Sequence, residues 1–168
     1  MVPSADLQLQ VVIKALGEAI APAVDPANKV AIEQLHLSIA TLSMLRTQLP
    51  MTRRFLRAVM ADAIDLGEAL CRATDADARR SLEEGLEAAR AVLSDPAAEN
   101  EKIESARADL TDRTVKLIAS AERETQSRFE KLVLDLSGRS LERFRAWFST
   151  SGFEPVSAHI RPISELIA

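Results

Sequence analysis

The sequence contains no tyrosine and few residues that interrupt helices. Aromatic residues make up 4% of its 168 residues, and it has only 5 glycines and 7 prolines. Aromatic residues favour strands, whereas alanine, leucine, glutamate and arginine, which are abundant here, favour helices. This composition predicts an all-α fold, and the shortage of aromatic rings argues against sites that stack sugars or bases.

Cysteine occurs once, at Cys71, so no disulfide can form within the chain. A chain without disulfides is typical of a reducing compartment. The first residues lack the basic and apolar segments of a secretory signal, and no run approaches the ~18 apolar residues of a membrane-spanning helix. We therefore expect a cytoplasmic protein without a transmembrane segment.

Basic residues are not in excess. The net charge is −4 and the isoelectric point is near 5.3. Proteins that bind nucleic acid usually carry a strong basic excess, so no nucleic-acid partner is expected. The richness in alanine and arginine is typical of a bacterial genome with a high GC content.

Apolar residues recur at three- and four-residue steps along most of the chain, which is the pattern of amphipathic helices. We predict helices over residues 5–21, 26–49, 52–72, 74–93, 97–136 and 139–149. Ser4 is a predicted N-cap, and Asp25-Pro26 and Asp95-Pro96 are predicted helix starts with proline at the first position. Gly138 is predicted to end the fifth helix.

The second predicted helix is apolar on more than one side. One stripe comprises Ile32, Leu35, Ile39, Leu42 and Leu49. Leu37 and Met44 lie on another side. A helix that is apolar over most of its girth is usually central and buried, and we expect this helix to be so.

The short connections favour antiparallel neighbours and predict an up-and-down bundle of four core helices with additional short helices. We expect residues 1–150 to form a single domain and residues 151–168 a C-terminal tail packed on the bundle or on a partner. One question stays open, because residues 122–128 contain no apolar side chain. The long fifth helix either leaves the core there or breaks.

An arginine cluster flanks the turn at Pro50. It consists of Arg46, Arg53, Arg54 and Arg57. Guanidinium groups near the free N–H groups of a helix start suit a phosphate or carboxylate, so the cluster is a candidate site for a small anionic or acyl ligand. The alternative is a basic patch that pairs with acidic residues of neighbouring helices.

The only tryptophan lies in a second candidate region near the end of the chain. Arg143, Phe144, Trp147 and Phe148 are the candidate interface residues of this last helix. Tryptophan and arginine are enriched in the residues that dominate binding energy at interfaces. The alternative is that this helix folds back and seals the end of the bundle.

Metal binding has weaker support. Glu33 and His36 share a helix face, but bundles that hold two metal ions need a second such pair. Asp62, Asp65 and Glu68 follow at three-residue steps, and the spacing of Glu68 and Arg72 is that of a surface ion pair. For these three carboxylates we favour a solvated face over a metal or acid–base site.

Motifs of nucleophilic and phosphate chemistry are missing from the sequence. It has no Gly-x-Ser-x-Gly elbow, no glycine-rich phosphate loop and no Cys-x-x-Cys pair. We therefore expect a non-catalytic interaction or accessory module, working as a homodimer or with a protein partner and needing no cofactor. The alternatives are a binder of an anionic or acyl ligand and, last, a metal-dependent enzyme.

Overall fold

Helices form most of the chain. The computed structural model describes residues 2–149 and 159–168, and these contain no strand. The helices are α1 Ala5–Ala15, α2 Lys29–Gln48, α3 Thr52–Arg72, α4 Ala76–Ser94, α5 Asn100–Ser120, α6 Arg123–Phe148 and α7 Ile163–Leu166. A π-helical turn and a 3-10 turn extend α1 to Ala23, and a 3-10 turn at Leu49–Met51 connects α2 with α3. The predicted all-α fold is confirmed.

The chain forms two compact units. The hairpin unit comprises the described residues of Met1–Thr52 and Trp147–His159, and within it α1 contacts α2. The bundle unit comprises Arg53–Ala146 and Ile160–Ala168. The expected division into one domain over residues 1–150 and a tail over 151–168 stays a prediction.

The bundle unit contains a well-packed apolar core. Its most deeply buried side chains are Met60, Leu70, Leu82, Leu86, Ala89, Ile103, Leu110 and Phe129. The rings of Phe55 and Phe144 meet edge to face, with centroids 5.4 Å apart, and join α3 to α6. Helices α3 to α6 are thus the four core helices of the predicted bundle.

The hairpin unit is packed differently. Among the residues of α1, α2 and their connecting turns, only the polar Gln48 is buried. The expectation that α2 is central and buried is therefore wrong. In the described part of the hairpin unit, α1 and its π-helical turn contact α2, where Ile32, Leu35 and Ile39 are half-buried. Val30, Leu37 and Leu45, on other sides of α2, stay exposed.

Both Asp-Pro steps form turns before the helices that follow them. The carboxylates of Asp25 and Asp95 accept hydrogen bonds from the N–H groups two residues on, at 2.9 and 2.8 Å. Because the aspartate bonds its own turn, α2 starts only at Lys29 and α5 at Asn100, later than predicted. The predicted N-cap at Ser4 is confirmed, since its Oγ accepts from the N–H of Leu7 at 3.2 Å.

The long fifth helix of the sequence prediction is two helices. Ala121 has extended backbone, with φ −75° and ψ 149°, and α6 begins two residues later. The polar residues 123–128 form the first turns of α6 rather than a loop. Gly138 does not end the helix, because the ~1 kcal/mol that glycine costs inside a helix is small beside the packing of the apolar face of α6.

The position of Gly138 leads to a stability prediction. No atom outside its own helix backbone and chain neighbours lies within 4 Å of the place a Cβ would occupy. We expect Gly138→Ala to raise the free energy of unfolding by about 0.5–1 kcal/mol, because alanine restricts the unfolded chain without a clash. Urea denaturation measures this change.

Gly67 supplies the control for this prediction. A Cβ on Gly67 would stand 2.9 Å from Cδ2 of Leu86, so Leu86 would have to move within the core. We expect no gain from Gly67→Ala. Equal stabilisation by both substitutions would contradict this account of Gly138.

Candidate interaction surface

Arg46, the first member of the predicted arginine cluster, connects the two helices of the hairpin. Its Nε donates to Oδ1 of Asp6 at 2.6 Å, and a second nitrogen donates to Oε1 of Gln10 at 3.3 Å. The hydrogen bond from Arg46 lowers the pKa of the Asp6 carboxyl. The pair fixes the end of α2 against the start of α1.

Two other arginines of the cluster bind backbone carbonyls in the bundle unit. Arg53 donates to the carbonyl of Pro96, and Arg57 donates to those of Leu93 and Asp95. These carbonyls lie at and just beyond the C-terminal end of α4, where helical partners are lacking and positive charge is favoured. Arg54 is exposed. Three of the four arginines therefore bind acceptors of the chain itself.

The predicted aromatic interface is largely occupied by contacts within the chain. Phe144 packs on Phe55, and Trp147 is buried. The carbonyl of Trp147 accepts from Nε2 of the buried Gln48 at 2.9 Å. Phe148 is the one residue of this set with a largely exposed side chain. These contacts fit the alternative in which the helix end packs against its own chain.

Asp62 is the first of the three carboxylates at three-residue steps on α3. Its side chain is buried, so the predicted solvated face is wrong at this position. The side chain of Asp62 is 7% exposed. It forms an ion pair with Nε of Arg139 at 3.1 Å and accepts a hydrogen bond from Arg143. Asp65 pairs with Arg139 at 2.7 Å. Arginines of α6, distant in sequence, thus neutralise these two carboxylates.

The last residues of the chain dock on α6. Nε of Arg143 donates to the carbonyl of Leu166 at 2.7 Å, and Leu166 is buried. Arg161 forms two hydrogen bonds of 2.7 Å with Glu142 and lowers the pKa of that carboxyl. Residues 160–168 of the expected tail therefore pack within the bundle unit, whereas residues 151–158 lie outside the described residues.

An open cavity of about 510 Å³ lies over Cys71 in the bundle unit. Its other lining residues are Glu68, Arg72, Arg79, Glu83, Leu86, Glu87 and Arg90. Glu68 pairs with Arg90 at 2.8 Å and with Arg72 at 3.8 Å, which confirms the predicted Glu68–Arg72 pair. Burial, then the charge of Glu83, raises the pKa of the Cys71 thiol, so the thiol is protonated at neutral pH and is a poor nucleophile.

The weak metal candidates, Glu33 and His36, lie on exposed positions of α2. Among the side chains that the structure describes, which exclude those of residues 76–78, no group of three or more histidine, cysteine, aspartate or glutamate residues is arranged to hold a metal ion. Within residues 2–149 and 159–168, no helix combines the length and the apolar character needed to cross a lipid bilayer.

The main exposed apolar surface lies on the hairpin unit. Of the thirteen large apolar side chains that are exposed in the described ranges, nine belong to its first two helices and adjoining turns. They are Val2, Leu7, Val11, Val12, Ile20, Val30, Leu37, Leu45 and Leu49. We call this set the hairpin surface. In the sequence, the feature that indicated this surface was the second apolar side of α2. The periodicity of apolar residues led us to expect that side in a core.

Comparison with known proteins adds no assignment to this geometry. The sequence matches no protein-family model. Neither a curated protein nor a solved structure shows significant similarity to the chain.

Proposed function

We propose that the chain is a non-catalytic protein-interaction module and that the hairpin surface is its binding site. The observation that supports this most directly is the concentration of exposed apolar side chains on a helical pair that lacks a buried apolar residue. Clustered exposed apolar side chains on a soluble protein usually mark an interaction site.

The energetics of the hairpin favour a partner. Most of the stability of a helix in a protein comes from packing its apolar face, and two helices that cover each other on one side are marginal. Burying one exposed leucine or valine contributes about 1.5–3 kcal/mol. A partner that covers several residues of the hairpin surface would therefore stabilise both the complex and the hairpin.

The alternative of an anionic or acyl ligand loses its main support. Arg46 is paired with Asp6, and Arg53 and Arg57 bind carbonyls beyond α4. A ligand would have to compete with the hydrogen bonds that these three guanidinium groups already donate within the chain. The hairpin surface offers apolar contact area and little charge, which suits a protein surface better than a small anion.

The test places a photo-reactive benzoylphenylalanine on the hairpin surface of the full chain, expressed in the cells that encode it. Leu37 on α2 is the test position, and Leu134 on α6, exposed to 76%, is the control. We expect illumination to give a discrete covalent adduct at Leu37 and none at Leu134. Mass spectrometry then identifies the adduct as a second copy or as another protein.

The same experiment at Val11 and Leu45 extends the test over the hairpin surface. If none of these three positions yields more adduct than Leu134, the hairpin surface is not a binding site and the proposed function is wrong.

A further inference from the structure

We infer that the partner of the hairpin unit is a second copy of the chain, paired through antiparallel α2 helices. The inference rests on the proposed function and names its partner. Three features of α2 support it: the spacing of its outward apolar residues, its charge, and its length.

The outward apolar residues of α2 repeat every seven positions. They are Val30, Leu37 and Met44, with Gln34 and Thr41 between them. A helix turns about 100° per residue, so these five positions form one line, nearly opposite the half-buried residues that face α1. Val30 is 70% and Leu37 51% exposed, and Met44 is half-buried. Seven-residue apolar spacing is the pattern of helices that pack along their length.

The three apolar positions of this line have the same spacing in either direction. A two-fold axis through Leu37 would place Leu37 against itself and Val30 against Met44 of the second copy. It would also bring Gln34 next to Thr41, two uncharged side chains that can share a hydrogen bond. Two-fold dimers require a patch that complements itself in this way.

The lack of charge along α2 permits pairing with a second copy and argues against a lipid surface. Between Glu33 and Arg46 the helix carries no aspartate, glutamate, lysine or arginine, and Arg46 is neutralised by Asp6. Two copies can therefore approach without like-charge repulsion. A lipid surface would require a polar face rich in lysine or arginine, and α1 and α2 together carry only Lys14, Lys29 and Arg46.

The size of the contact predicts a weak dimer. Helix α2 has 20 residues, which corresponds to a length of about 30 Å, and one helix is about 10 Å wide. Because the line faces away from α1, α2 alone forms the contact and covers about 300 Å² per copy, or about 600 Å² in total, the size of a weak, reversible interface.

The first experiment measures the mass of the full chain in solution by sedimentation equilibrium. We expect a species of twice the 18.3 kDa chain mass to form as the protein concentration rises to several hundred micromolar. Leu37→Glu, which places two carboxylates at the two-fold axis, is expected to raise the dissociation constant at least a hundredfold. Leu134→Glu is the matched control and should leave the dimer intact. Circular dichroism verifies that both variants keep their helix content.

The second experiment determines the direction of pairing with engineered cysteines in a Cys71→Ala background. Leu37→Cys should form a disulfide-linked dimer on oxidation. Val30→Cys alone should not, whereas Val30→Cys combined with Met44→Cys should. Efficient cross-linking of Val30→Cys alone would indicate parallel helices and overturn the antiparallel arrangement.

The outcomes separate this inference from the proposed function. A monomeric chain whose photo-adduct at Leu37 contains a different protein would overturn the second copy and leave the interaction module in place. A monomeric chain without any adduct on the hairpin surface would overturn both. So would a monomer that sediments with vesicles of phosphatidylcholine and phosphatidylglycerol through Leu37, because the partner would then be a membrane.

Discussion

Replacing Leu110 by alanine is expected to lower the free energy of unfolding by about 3–4 kcal/mol. Leu110 is fully buried on α5. Its Cδ1 lies 3.6 Å from where a Cβ on Gly67 would stand and 3.5 Å from the corresponding point on Gly85. The side chain of Leu110 thus packs against Gly67 on α3 and Gly85 on α4. Because glycines have no side chain that could move into the space, the cavity left by alanine would stay open. Urea denaturation, followed by circular dichroism, gives the change.

The matched control for this prediction is Leu134→Ala on α6. Leu134 is the most exposed leucine of the bundle unit, so its truncation should change the free energy of unfolding by less than about 0.5 kcal/mol. If the two variants unfold at the same urea concentration, Leu110 is not part of a close-packed core and the description of the bundle unit is wrong.

If the hairpin surface is an interface, substitutions in the two units should also differ in how their effect on stability depends on protein concentration. Association stabilises the folded state by an amount that grows with protein concentration. The bundle core is buried within one chain, so the effect of Leu110→Ala is independent of concentration. The effect of truncating Leu37 should be small in a dilute monomer and larger in the dimer.

The sequence predicted the helices because apolar spacing and capping are local properties. Ser4 shows this, since its cap needs only the N–H three residues on. The connections were predicted less well. An aspartate followed by proline is a typical helix start, and the chain has this step at Asp25 and at Asp95. In the structure, however, each carboxylate accepts a hydrogen bond from the N–H two residues on and forms a turn before the helix. Two local rules competed at these steps, and the sequence alone did not decide between them.

The burial of α2 was not predictable, because periodicity shows which side of a helix is apolar and not what covers it. The stripe of Ile32, Leu35 and Ile39 faces α1, as an amphipathic helix requires. In the second line, Val30 and Leu37 are exposed although their spacing is that of packed residues. A core helix and an interface helix have the same pattern, and only the three-dimensional arrangement distinguishes them.

The candidate sites depended on partners that are distant in sequence. Arg57 bonds carbonyls almost forty residues away, and Arg143 pairs with Asp62 more than eighty residues away. Charges that appear free along the sequence are therefore neutralised in the fold. The predicted alternative for the arginine cluster was pairing with acidic residues of neighbouring helices. Arg46 forms such a pair with Asp6, whereas Arg53 and Arg57 donate to backbone carbonyls.

Removing the carboxylate of Asp62 is expected to destabilise the chain by about 3 kcal/mol, because the mostly buried Arg143 would lose the carboxylate that pairs with it. Arg143 is only 14% exposed, and its Nε also donates to the carbonyl of Leu166, which carries no net charge. We expect Asp62→Ala to lose this amount in urea denaturation. Asp135→Ala, which breaks an exposed pair with Lys131 on α6, should change stability by less than about 0.5 kcal/mol.

A double substitution separates the cost of an unpaired charge from the contribution of the ion pair itself. Replacing both partners, with Asp62→Leu and Arg143→Met, removes the buried charges together and is expected to recover stability to within about 1 kcal/mol of the parent. The single variants would then sum to a far larger loss than the double variant. Additive losses would show that Asp62 and Arg143 act independently, and equal losses for Asp62→Ala and Asp135→Ala would show that Asp62 is not buried.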